Sequence, residues 1–315
     1  MIFLYIALAL AFLTLIACFI CFYMAFYAPE SKKVRPEFEL PPGKEYEPYH
    51  ELMTQWMRER INMPYTDMQV QSFDGLTLRG KYYELTKGAP IELMFHGYRG
   101  SAERDLCGGI QRCFKLGRNV LIVDQRAHGR SGGNVISFGA KEKYDVLAWV
   151  DLIIKEFGED TKIILCGISM GAATIMLATG EQLPKNVVGA LADCGYTSAK
   201  DIICRVIDKM HLPSRLLYPF VRLGGKIFGG FDTENANALA AVKNCKVPIM
   251  FIHGEADDFV PCEMSHRCFN AVTAPKGILT IKGAGHGAAY LVDTEQYLSG
   301  VSKFYTDNGI YTEIL

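Results

Sequence analysis

The chain has 315 residues, half of them hydrophobic, with 33 basic and 34 acidic side chains and a formal charge of -1. That composition excludes a disordered or collagen-like chain, and the balanced charge gives no support to nucleic-acid binding, which normally calls for a basic excess. The length fits one large domain or two small ones, but the apolar residues are unevenly spread, and Met1–Ala28 carry no charged side chain.

The first predicted element is the run from Ile2 to Tyr27, IFLYIALALAFLTLIACFICFYMAFY, interrupted only by Thr14. At about 1.5 Å per residue, a helix of this length crosses a hydrocarbon layer of roughly 30 Å. A cleaved signal would want a basic start, an apolar core of about 7–15 residues and small residues at the cleavage site. Here bulky Phe26 and Tyr27 occupy those places and Pro29 follows Ala28. Residues 1–28 are therefore expected to be a retained transmembrane anchor. Lys32, Lys33 and Arg35 follow it closely, so the positive-inside rule puts the carboxy-terminal bulk on the cytoplasmic side. The ten cysteines lack metal-like or disulfide-framework spacing, and no metal is expected.

Residues 29–64 are rich in Pro, Glu and Lys before turning helical around ELMTQWMRERI, and are expected to be a stem leading to a body at 65–315. The body starts with two β-like runs around Asp74-Gly75, a strong hairpin signal. Strand candidates follow at 91–95, 119–124, 162–168, 187–193, 248–254 and 277–283. Helical patterns cover roughly 102–117, 139–157, 170–181, 262–273 and 294–306. Near-continuous apolar strands separated by helices imply a mostly parallel sheet covered on both faces, an α/β fold. One connection, about 196–245, is too long for that rhythm. Its apolar helices predict a lid, with a packing insertion as the alternative.

Gly167-Ile168-Ser169-Met170-Gly171 follows an apolar strand and opens a helix, the context of a nucleophile elbow. A serine hydroxyl needs a base, and the base needs an acid to hold its tautomer. His286, in GAGHGAAY just past the last strand, is the favoured base over His253, which ends a strand before a glycine. Asp257, in HGEADDFVP, is the favoured acid, and Asp193 is the alternative. An oxyanion needs preorganised amides. Met170, after the serine, supplies one, and Tyr98, in His96-Gly97-Tyr98-Arg99-Gly100, is the candidate for the second. Arg99 is read as solvated or salt-bridged, with an anionic substrate group as the other possibility.

HGYRG, DQRAHGRSGG (124–133), GISMG, HGEADDFVP and GAGHG occur together in an order and spacing that resembles the α/β-hydrolase superfamily, over about residues 70 to 310. The pattern is similar to the serine-hydrolase branch holding monoacylglycerol-lipase-like esterases and the S33 and S9 peptidases. It departs from the branch's D-x-R-G-H-G-x-S segment only at Ala127, and serine at the elbow argues against the dehalogenases and epoxide hydrolases. The resemblance implies the α/β-hydrolase fold, Ser169, Asp257 and His286 as triad, Tyr98 and Met170 as oxyanion donors, and neither metal nor cofactor. His128, in the structural segment, is not implied as catalytic.

The expected activity is that of a serine hydrolase cleaving carboxylic esters through an acyl-enzyme. A bilayer tether and an apolar lid suggest an amphiphilic acyl ester, with Leu216, Leu217, Phe220 and Phe228 as substrate-binding residues. The expected partners are that small-molecule ester and the lipid bilayer, with no nucleic acid and no obligate protein partner. A peptidase of the same fold, a thioesterase and a non-catalytic scaffold are the rival readings.

Overall fold

A computed structural model of the chain describes residues 1–29 and 38–310. The elements run α1 (Ile2–Ala25), α2 (His50–Ile61), β1 (Thr66–Gln71), β2 (Thr77–Tyr83), β3 (Ile91–Phe95), α3 (Ala102–Asp105), α4 (Cys107–Lys115) and β4 (Asn119–Asp124). They continue with α5 (Glu142–Phe157), β5 (Ile163–Ile168), α6 (Met170–Ala178), β6 (Val187–Asp193), α7 (Ala199–Lys209), α8 (Ser214–Gly224) and α9 (Ala238–Ala241). Last come β7 (Ile249–Gly254), α10 (Cys262–Ala271), β8 (Lys276–Ile281), α11 (Ala289–Val292) and α12 (Thr294–Asp307).

The eight strands form one sheet in the order β1-β2-β4-β3-β5-β6-β7-β8. β1 and β2 pair antiparallel across the Asp74-Gly75 turn, β2 joins β4 antiparallel, and every later pairing is parallel. Strands buried on both faces need apolar residues at odd and even positions alike, and β3 meets that demand residue by residue. Ile91, Leu93 and Phe95 pack with α5, α6 and the 196–245 region, while Met94 packs with α2, α4, α11 and α12 on the other face. Glu92 is the polar exception. It is fully buried and takes ion pairs from Arg112 and, at 2.9 Å, from Arg118. In a parallel sheet the carboxyl ends of β3, β5, β6 and β7 share one rim, where such folds collect their functional side chains.

Some expectations are redrawn. The helix expected over 102–117 breaks at Leu106 into α3 and α4. The one expected from 139 starts at Glu142, whose carboxylate accepts the amides of Ser137 (2.7 Å) and Gly139 (2.8 Å) and so fixes the turn before it. The largest correction concerns the stem. Its helical part, α2, buries Met53, Trp56 and Met57 against α4, so the boundary at 64 does not separate a stem from the body. Periodicity announced a helix there, and it is the bulky apolar face of that helix that draws it onto the sheet layer. Lys32, Lys33 and Arg35, on which the expected orientation rests, lie outside the described residues.

α1 has the length and composition to cross a membrane, and most of its side chains are exposed. Its last turns are not free. Cys18, Phe22 and Phe26 are buried, and α1 packs along α8. The approach is close: a Cβ on Gly224 of α8 would stand 2.3 Å from the Cys18 carbonyl oxygen.

Candidate active site

The chain turns sharply at the rim after β5. Ser169 has φ 56° and ψ -116°, a left-handed backbone that costs a side-chain-bearing residue on the order of 1–3 kcal/mol. The flanking glycines make room for it. A Cβ on Gly167 would lie 2.2 Å from the Gly171 carbonyl carbon, and one on Gly171 would lie 2.0 Å from the Phe95 carbonyl oxygen. The Ser169 amide donates to the Asp193 carbonyl at 2.8 Å, so the turn is also pinned to β6.

The His286 ring stands with Nε2 2.9 Å from Ser169 Oγ and Nδ1 2.7 Å from Asp257 Oδ2. Since an ionised carboxylate only accepts, Nδ1 carries the proton and Nε2 is left free to accept the serine hydroxyl. Asp257 is itself held from three sides. Its Oδ1 accepts the amides of Phe259 (2.9 Å) and Val260 (2.8 Å), and its Oδ2 also takes His253 Nε2 at 3.2 Å. Burial alone would raise this carboxyl. The hydrogen bonds from His253 and His286, the charge of His286 and the Val260 amide outweigh it and hold the group well below the usual carboxylate range.

Asp193, the alternative acid, lies elsewhere in the same wall. Its Oδ2 accepts the Tyr297 hydroxyl at 3.1 Å, and no hydrogen bond joins it to His286. Burial pushes it up to about 6, against the opposing pull of His253, Tyr297 and Arg112. His253 is fully buried and donates from Nε2 to the Val260 carbonyl (2.8 Å), while Nδ1 accepts the Ser265 hydroxyl (2.7 Å). It braces Asp257 and does not approach Ser169.

The loop after β3 runs beside the serine: a Cβ on Gly97 would be 3.7 Å from the Ser169 Cβ. Its amides are assigned one by one. Gly97 donates to Asp105 Oδ2 (3.0 Å), Arg99 to His128 Nε2 (3.0 Å) and Gly100 to the Gly97 carbonyl (3.2 Å). Among the described residues the Tyr98 amide makes no such bond, and the Met170 amide, first in α6, has no partner within its helix. Two donors thus flank Ser169. His128 is buried, with Nδ1 toward the Arg126 carbonyl (2.9 Å), so one tautomer of it fastens the loop.

These groups open onto a cavity of about 460 Å³, within the range of small-ligand sites. Met53, Trp56, Met94, Leu106, Ile168 and Leu291 give it apolar walls. Pro41, Pro42, Glu45 and Tyr46, from the segment expected to be a stem, also line it. The Tyr46 hydroxyl donates to the His286 carbonyl at 2.5 Å, and the Phe259 ring meets the imidazole edge-on at 5.1 Å. The sequence held no periodic or spacing signal for Tyr46, whose role depends on a contact across 240 positions.

The four lid residues expected to bind substrate are not brought to this cavity. Leu216 is exposed, Leu217 and Phe220 are half-buried, and Phe228 packs on Phe19 and Phe22 at ring distances of 5.2 and 5.7 Å. The buried side of α8 and the turn after it pack on α1, not on the cavity. Arg99 is also engaged there, donating from Nη2 to the carbonyls of Met24 (2.8 Å) and Tyr27 (3.1 Å).

Among the described residues, Cys194, Asp257 and His286 form the group of potential metal ligands that lie close together. Two of them already bond each other, and burial pushes the Cys194 thiol well up, away from the thiolate a metal would need.

Comparison with known proteins agrees with this architecture. The family described as "Serine aminopeptidase, S33" matches residues 91–210. Protein YqkD of Bacillus subtilis is 30% identical over 199 residues, and the match covers 63% of this chain and 65% of that one, just under two thirds of its length. Protein bem46 of Schizosaccharomyces pombe is 26% identical over 262 residues, covering 81% of each. Among solved structures, the esterase Pf2001 of Pyrococcus furiosus superposes with a TM-score of 0.65 at 26% identity, covering 88% of this chain and 98% of its own.

Proposed function

This chain belongs to the α/β-hydrolase superfamily, and from that premise we propose that it is a membrane-anchored serine hydrolase that cleaves carboxylic esters by way of an acyl-enzyme. The observation that carries the reading is the continuous path Ser169 Oγ, His286, Asp257, beside two amides with no other engagement. Similarity to the Pf2001 esterase supports the ester as substrate.

In the first half-reaction His286 Nε2 takes the hydroxyl proton as Ser169 Oγ attacks the carbonyl carbon. The carbonyl π pair moves onto oxygen, which rests on the Met170 and Tyr98 amides. Collapse expels the alkoxide, protonated by the same imidazolium. In the second half a water gives its proton to His286, attacks the acyl carbon and releases the acid, restoring the serine. Asp257 stays ionised throughout and holds the imidazole in its working tautomer.

The apolar walls of the cavity and the apolar anchor support an amphiphilic acyl ester, such as a monoacylglycerol or lysolipid, as the substrate class. α1 is the anchor and the body faces the cytoplasm in this reading. A peptidase is the second reading, favoured by the name of the matching family. It requires a carboxylate to hold a peptide amino terminus, and Glu45 and Asp258 stand at the cavity.

A fluorophosphonate probe, applied with and without Ser169→Ala, tests the nucleophile. Aryl esters of rising acyl length run beside aminoacyl anilides test the class. Labelling that survives Ser169→Ala overturns the mechanism, and faster anilide than ester turnover installs the peptidase.

A further inference from the structure

Among the described residues, none between 196 and 245 lines the cavity. We infer that the end of α7, the turn after it, α8, the turn that follows α8 and the outer surface of α1 form one face that docks on a lipid bilayer and seats the cavity mouth at the membrane–water boundary. The inference rests on the reading of α1 as an anchor.

The first observation is rigidity. α1 has 24 residues, about 36 Å at 1.5 Å per residue, against the roughly 20 residues that a hydrocarbon core demands. Its buried side chains, Cys18 and Phe22, with Phe26 just past its end, lie in the last turns of a span that starts at Ile2. There the body grips it. Tyr98 Oη donates to the Ala25 carbonyl (2.8 Å), Arg99 binds the carbonyls of Met24 and Tyr27, the Ile136 amide takes the Phe26 carbonyl (2.8 Å), and the Ala28 amide donates to Asn134 (2.9 Å). The end of the helix is thus bonded directly to the body. If α1 spans, the α8 surface beside Cys18 and Phe22 lies within about one or two turns of the hydrocarbon edge.

The second observation is the surface that this arrangement leaves uncovered. Among the described residues thirteen large apolar side chains after α1 are exposed, and six of them fall between 206 and 227: Val206, Met210, Leu212, Leu216, Leu223 and Ile227. That concentration is not the ordinary scatter of single apolar residues over a soluble surface. The track is continuous with α1, because Phe228, next to Ile227, stacks on Phe19 of the anchor. At its other end it reaches the mouth. Arg205 of α7 binds the carbonyls of Asp258 (2.6 Å) and Phe259 (2.8 Å), and Lys209 lies over the Phe259 ring, which in turn touches His286. A bilayer fits this face best, since its neighbour α1 already presents an apolar surface long enough to sit in lipid. Tyr98 lines the cavity while bonding to the anchor, so one residue separates the serine loop from the anchor's end. An ester lying in the bilayer would then be offered to Ser169 without fully leaving lipid.

The test uses the full chain reconstituted in phosphatidylcholine vesicles with brominated acyl chains. Tryptophan is placed at an exposed position on the face (Leu216→Trp or Met210→Trp) or far from it (Phe73→Trp, on the β1–β2 turn). Strong bromolipid quenching at 216 and 210 and none at 73, over the buried native tryptophans, is expected. Equal quenching at all three, or none at 216 and 210, overturns the proposal. Leu223→Glu and Met210→Glu should each lower turnover of a vesicle-borne monoacylglycerol about tenfold, as loss of a leucine-sized apolar contact implies, and leave a soluble short-chain aryl ester unaffected. Equal loss on both substrates overturns it. If the charged variants instead turn a dimer into a monomer in detergent with no quenching, a second copy is the occupant and the bilayer is excluded. Fluorophosphonate labelling of Ser169 in the same samples separates the two failures: quenching without labelling leaves the docking face standing and removes the serine mechanism.

Discussion

Replacing Asp257 with asparagine probes the orientation of one imidazole, and the structure fixes which way the amide must sit. Oδ1 of Asp257 receives two backbone N–H groups, from Phe259 and Val260. An asparagine amide nitrogen placed there would face two donors, so the side chain must keep its oxygen at Oδ1 and put its NH2 at the Oδ2 position. That NH2 meets His286 Nδ1 at a spacing now 2.7 Å and can only donate. The ring is driven to the tautomer with its proton on Nε2, pointing at Ser169 Oγ, and it can no longer act as base. The expected loss is about a thousand- to ten-thousandfold in kcat, roughly 4–5.5 kcal/mol of transition-state stabilisation, with KM little changed. Steady-state hydrolysis of a p-nitrophenyl ester by detergent-solubilised protein measures it, with Asp258→Asn as a control, since that side chain is 92% exposed. Retention of activity within tenfold by Asp257→Asn, together with collapse on Asp193→Asn, would refute the tautomer argument and move the acid to β6.

Asp193→Asn has its own signature in stability. Burial raises the folded-state carboxyl to about 6, above an unfolded value near 4, so the folded chain binds more protons and stability falls as pH rises between the two. Above pH 6 the full cost is present, on the order of 3 kcal/mol. The variant should therefore melt higher than the parent at pH 8 and equally at pH 4; equal melting at both would remove the buried charge from the account. Gly171→Ala forces a Cβ to within 2.0 Å of the Phe95 carbonyl oxygen, backbone against backbone, and should destabilise by more than about 3 kcal/mol; an unchanged melting temperature would contradict the elbow packing. Tyr98→Phe removes the hydroxyl bond to Ala25 and keeps the amide. It should lower thermal stability by about 1 kcal/mol while soluble-ester turnover stays within about threefold, and a hundredfold loss of turnover would show that the hydroxyl, not the amide, takes part in the chemistry.

The sequence made the rim legible because strong local constraints act there. A glycine two residues to either side of Ser169, short apolar strands and the positions of HGEADDFVP and GAGHG after their strands all follow from short-range geometry. What it could not disclose were the partners of amphipathic faces. The stripe on α8 announced that something apolar would cover it; whether that was a substrate or α1 depended on contacts two hundred positions away. The role of α2 was hidden in the same manner, since its pattern gave a helix but not the layer it joins. Tyr46 was beyond reach altogether, being one of two tyrosines in a Pro- and Glu-rich stretch, with a hydroxyl that finds one carbonyl in the folded chain.

The wrapping of residues 38–61 around the cavity has a practical consequence for anyone preparing the protein. Trimming the chain at residue 65 to gain solubility would discard Pro41, Pro42, Tyr46, Met53 and Trp56 together. The shortened version could retain its sheet and a reactive serine, yet it would lack one wall of the chamber and the strap across the histidine's carbonyl. Substrate preferences catalogued on such a fragment would describe a wider vessel than the one the whole chain forms.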